Sequence, residues 1–196
     1  MYIKKIVLTN IKGFSKLEFN LDRGNGQYAG WTVFTGDNGA GKSTVLKAIT
    51  IALVGKDVAR QLQPSFQGWI REGETKGTIH LDVVVCKSDD QFAETGRTTK
   101  ESFVTELSLS SEEGKEPLLD PSGGSQSSRE ALRTVWHLNS QGWFVCGYGP
   151  FRRVFGASPE AARQMVSPST ERFVTMFHEA ASLAEVDQWL RDLNHK

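Results

Sequence analysis

Residues 36–43 read Gly-Asp-Asn-Gly-Ala-Gly-Lys-Ser, and Thr44 follows. Glycines at these intervals ahead of a lysine and a hydroxyl suit one task, the holding of phosphate. Gly36, Gly39 and Gly41 allow backbone dihedrals that turn the N–H groups of Asn38, Gly39, Ala40 and Gly41 toward an anion. A helix starting at Ser43 and Thr44 adds its positive dipole end. Lys42 then reaches the β- and γ-phosphates of a nucleotide, and the Ser43 hydroxyl takes one position on Mg²⁺, the other ligands being phosphate oxygens and waters. At background glycine frequencies such a string arises in a chain of this length roughly one time in a hundred.

The motif has meaning only between a strand and a helix, and the flanking residues predict both. Gly30 to Thr35, with Trp-Thr-Val-Phe at its centre, reads as a short apolar strand running into Gly36. Val45, Leu46, Ala48, Ile49, Ile51, Ala52 and Leu53 predict a helix of about three turns, stopped by Gly55. Upstream, residues 2–9 and the alternating 16–21 predict a β-hairpin. Downstream, residues 76–85 (Ile79, Leu81, Val83, Val85) and 102–109 (Phe103, Thr105, Leu107, Leu109) predict two antiparallel strands that extend the same sheet. Residues 110–128 are rich in Ser, Gly, Glu and Pro and read as an exposed loop. A helix over 128–138, a strongly apolar strand over 143–146 and a helical segment over 169–196 complete the expectation. The apolar strand is expected to lie centrally, so that the turn Gly147 to Arg153 faces the same cleft as the loop at 36–44.

Bulk properties bound the class. The chain has 196 residues, 38% of them hydrophobic, enough for one globular unit with a buried core. Lys plus Arg and Asp plus Glu are 23 each, so the net charge is zero and global charge does not advertise a nucleic-acid partner. No stretch approaches the ~18 apolar residues of a membrane span, and the N-terminus lacks a signal-peptide core. Cys86 and Cys146 lie singly in apolar segments and read as reduced, buried thiols, in keeping with a cytoplasmic protein. His80, His137, His178 and His195 show no metal spacing.

Several further residues each have a functional and a structural reading. Arg152 and Arg153 follow a Gly-Pro turn and would face phosphate or nucleic acid, or else form a structural ion pair. Tyr28 and Trp31 would stack on adenine, or else Trp31 is buried in the core. Arg71 reads as structural.

The run Asn10-Ile11-Lys12-Gly13-Phe14, a strand with Leu17 and Phe19, and then Phe34 to Thr44 resemble the N-terminal lobe of SMC-like and RecF-like ABC ATPases. Gly147-Tyr148-Gly149-Pro150-Phe151-Arg152-Arg153, with Met176-Phe177 and residues 183–193, resembles AAA-family ATPase subunits of Septu-type and retron-linked anti-phage systems. The resemblance implies an α/β P-loop NTPase of ABC type. Its sheet would be mixed, with N-terminal antiparallel hairpins and C-terminal helices, and its second lobe incomplete. It implies ATP and Mg²⁺ as ligands, with Lys12 near the phosphates; as a plain hairpin residue Lys12 would be solvated. It also implies a C-terminal lobe or second ATPase subunit as partner, with DNA or an associated nuclease reading the closure. The family's Walker B acids, signature motif, switch histidine and Q-loop glutamine have no counterpart in residues 1–196, so no catalytic residue is assigned. Two other classes fit a bare P-loop: a stand-alone phosphotransferase or GTPase, for which no Asn-Lys-x-Asp guanine motif is present, and a nucleotide-dependent interaction module without turnover.

Overall fold

The computed structural model describes residues 1–86, 89–90, 100–121, 128–137, 143–150, 170 and 172–178. The chain divides into two compact units, one of Met1–Ala59 with Ser65–Phe144, the other of Arg60–Pro64 with Val145–Lys196.

The first unit is built on a five-stranded sheet in the order β2-β1-β3-β4-β5. Its strands are β1 (Tyr2–Ile11), β2 (Phe14–Asn20), β3 (Lys76–Val84), β4 (Ser102–Ser110) and β5 (Leu118–Pro121). Side chains alternate across the pleat, so Ile6 and Leu8 of β1, Ile79, Leu81 and Val83 of β3, Leu107 and Leu109 of β4 and Leu119 of β5 are all buried. The opposite face is polar: Lys5 binds Glu18 at 2.7 Å across β1 and β2, and His80 lies between Glu106 at 2.7 Å and Asp82 at 3.1 Å. The hydrogen bond from Lys5, then that from Lys16, holds the Glu18 carboxyl below its ordinary range.

Helix α1 (Lys42–Leu62) supplies Val45, Ala48, Ile51 and Ala52 to the buried set. It breaks at Gly55, whose φ of 77° and ψ of 173° lie outside the helix. The Ala52 carbonyl freed by the break accepts the Trp136 indole N–H at 2.8 Å. Trp136 follows α2 (Arg129–Arg133), a shorter helix than the eleven-residue span expected from 128–138.

Five expectations differ from what is observed. Among the described residues every strand pair is antiparallel, so the mixed sheet has no parallel member. The segments at 30–35 and 143–146 are not strands. Both have apolar content, but among the described residues neither forms a strand ladder, and pairing rather than composition makes a strand. With Phe34 turned onto the Phe19 ring at 5.1 Å, the alternate residues Trp31 and Val33 face away and are 84% and 69% exposed. The core position expected for Trp31 is therefore wrong. The stretch 110–128 contains β5, because Leu119 is carried into the core by pairing with Leu109. Nor are the thiols buried: Cys146 is exposed, and Cys86, just beyond the end of β3, is intermediate with its Sγ 2.9 Å from Asp89 Oδ2.

In the second unit the Gly147 N–H donates to the Arg172 carbonyl at 2.9 Å, beside the four-residue helix α3 (Val174–Phe177). A side chain on Gly147 would run into Met176, and one on Gly149 into the Thr175 carbonyl. Close approach to residues 172–176 accounts for both glycines. Of the C-terminal helical segment expected over 169–196, only 170 and 172–178 are described.

Candidate functional site

Loop residues 36–41 join the unpaired segment to the first turn of α1. Gly36, Gly39 and Gly41 all take positive φ, at 152°, 85° and 89°. The last two fall where an L side chain is strained, which is why the loop needs glycine there. The Ala40 N–H returns to the Asp37 carbonyl at 3.1 Å, closing the turn, and the Val45 N–H to the Gly41 carbonyl at 3.0 Å begins the helix. Residues 36–40 and Ser43 are exposed, so the loop is open to a ligand from solvent. The Lys42 ammonium is drawn back over the loop, 2.6 Å from the Gly36 carbonyl and 2.7 Å from that of Asp37. Its positive charge thus stands over the concave backbone, beside a helix start whose first turn holds no acidic residue to compete with an anion. Phosphate and its metal fit this arrangement: an exposed loop of positive-φ glycines, a lysine at its mouth and the Ser43 and Thr44 hydroxyls at the head of α1.

The weaker candidates are placed as follows. Lys12 occupies the β1–β2 turn at φ 49°, its N–H bound to the Trp69 carbonyl at 2.7 Å and its ammonium 4.9 Å from the centre of the Trp69 ring. Arg71 Nη1 donates to the Gly13 carbonyl at 2.6 Å. Tyr28 stacks on Tyr2, the first residue of β1, with ring centroids 5.8 Å apart. Phe14, which meets loop residue Gly41, lies just past the last residue of β1. A ten-residue strand spans about 30 Å, too far for Tyr28 to stack on a base held at the loop. Arg152 and Arg153 lie outside the described residues, and with them the orientation expected for the 147–153 turn. Among the described residues no cluster of His, Cys, Asp and Glu is arranged to hold a metal ion. No helix among them is long and apolar enough to cross a membrane. The approach of the Phe14 ring to Gly41 was not foreseen, since nothing in the spacing of the sequence brings the two together.

Comparison with known proteins agrees with the loop. The AAA_23 family, described as AAA domain, matches residues 5–183. Over 79 residues the chain is 34% identical to the DNA double-strand break repair Rad50 ATPase of Nanoarchaeum equitans, covering 40% of this chain and 9% of that protein. Over 81 residues it is 30% identical to the Septu protein PtuA of Bacillus mycoides, covering 41% of this chain and 11% of that protein. The matched part therefore spans about a tenth of each relative. A solved chain from work on ATP-driven dimerization and DNA-stimulated activation of SMC ATPases aligns at a TM-score of 0.43 and 17% identity, covering 67% of this chain and 80% of that one. By its sequence, the chain belongs to the AAA_23 family of AAA domains.

Proposed function

We propose that this chain binds Mg-ATP on residues 36–44 and works as one lobe of a Rad50- or SMC-like ATPase. The observation that carries the reading is the Lys42 ammonium poised over the Gly36 and Asp37 carbonyls at the acid-free start of α1. On binding, the lysine exchanges those carbonyls for phosphate oxygens, and the amides of Asn38, Gly39 and Gly41 take the remaining charge. Ser43 is the residue placed to hold Mg²⁺, which would neutralise the phosphates and leave hydrolysis to groups that position water.

Those groups are the missing part. No Walker B acid pair occurs in residues 1–196, so turnover requires carboxylates from a second lobe or subunit. In the assembled protein, nucleotide would clamp two such units together, and DNA or an associated nuclease would read the closure. Repair of DNA double-strand breaks is the process named for one relative, anti-phage defence is the one that the Septu-type resemblance implies, and either is compatible with such a clamp.

The test pairs two measurements on the chain. Mg-ATP at a hundredfold excess over Kd should add about 2.7 kcal/mol to folding stability and raise the melting temperature. Phosphate release should stay at a trace rate. Turnover abolished by Lys42→Ala would mean that acids within the chain act on water and would favour a stand-alone phosphotransferase.

A further inference from the structure

The β1–β2 turn is held from outside as well as by its own strands. Ile11 bridges Ile70, the Lys12 N–H binds the Trp69 carbonyl at 2.7 Å, and the Arg71 N–H binds the Asn10 carbonyl at 3.0 Å. Arg71 Nη1 closes the set on the Gly13 carbonyl at 2.6 Å. Phe14 is the next residue, paired with Ile11 across the turn, so its backbone has little freedom. Its ring end reaches the phosphate loop. A Cβ built on Gly41 would lie 2.5 Å from Phe14 Cζ and 2.8 Å from Cε2, closer than real Cβ atoms come.

Gly41 is the last residue before Lys42, and it turns the chain from loop into helix at φ 89°. A glycine at that place is free to leave the positive-φ region, and every departure would swing Lys42 and the amides of the loop. We propose that Phe14 is a positioning residue for the phosphate loop: its ring, fixed by the clamped turn, is a stop that holds Gly41 in the dihedral the anion requires. This rests on the nucleotide-binding reading above. Phe14 touches neither phosphate nor metal. It raises affinity by reducing what must be ordered when ATP arrives.

The contact also makes glycine necessary at 41 for two separable reasons, dihedral and space. Removing the ring relieves only the second.

The experiment is Mg-ATP calorimetry on the full chain and on Phe14→Leu, Phe14→Ala, Gly41→Ala and the double variant Phe14→Ala/Gly41→Ala, with melting temperatures alongside. Phe14→Ala should weaken binding about tenfold, and Phe14→Leu, which keeps most of the bulk, should restore it to within about threefold of wild type. Gly41→Ala should cost less affinity in the Phe14→Ala background than alone. Wild-type affinity in both Phe14 variants, or strictly additive losses in the double variant, would overturn the proposal and leave the loop as the ATP site. Absence of binding by the wild-type chain would overturn both.

Discussion

Thr105 occupies an inward position of β4 between Phe103 and Leu107, and its hydroxyl is buried without a hydrogen-bond partner among the described residues. An unsatisfied buried hydroxyl costs roughly 1–3 kcal/mol, and valine has the same shape without that oxygen. Thr105→Val should therefore stabilise the fold by about 1 kcal/mol, read as a higher urea midpoint with an unchanged slope; a loss of stability would mean that the hydroxyl has a partner after all. The inward address of Thr105 was legible in the period of its neighbours, as were the loop glycines and Lys42 in their spacing. Trp31 was not. Its apolar bulk argues for burial, whereas its exposure follows from Phe34 turning onto Phe19, a choice of face that no periodicity in so short a run fixes. Lys12 is a similar case: the turn places its positive φ on the lysine, not on the neighbouring Gly13 that composition would select.

At the scale of elements, the hairpins and α1 were legible because alternation and helical spacing report on one buried face each. The break at Gly55 was legible too, but not the helical residues that follow it to Leu62, and the reason for the break is tertiary. The residue combines φ 77° with a Trp136 ring so near that a Cβ would stand 2.8 Å from Cγ. Gly55→Ala should cost about 2 kcal/mol or more from strain and overpacking together, and Trp136→Ala in the same chain should remove part of that penalty. Equal costs in both backgrounds, measured by chemical unfolding, would show that the ring is not the obstacle. The segments 30–35 and 143–146 were misread as strands for a common reason. An apolar run says that a segment wants cover, and only a partner strand turns that into a sheet. β5 was missed for the converse reason, a two-leucine strand hidden in polar sequence and made by its pairing with β4.

At the scale of the whole molecule, membership of the family agrees with the resemblance carried by the phosphate loop and the β1–β2 turn, and the chain's match covers about a tenth of its Rad50 and PtuA relatives. Charge and composition pointed to no partner, since the total cancels and local patches do not register in it. The proposed function therefore rests on the loop at 36–44. Isothermal calorimetry of Mg-ATP against the wild-type chain and Lys42→Ala tests this most directly. Among the described residues the lysine ammonium bonds only the Gly36 and Asp37 carbonyls, so the variant should fold and melt as the wild type does. The account predicts saturable binding by the wild type and a loss of at least a hundredfold in affinity, about 2.7 kcal/mol, in the variant. Equal affinities in two folded proteins, or no binding by either, would contradict it.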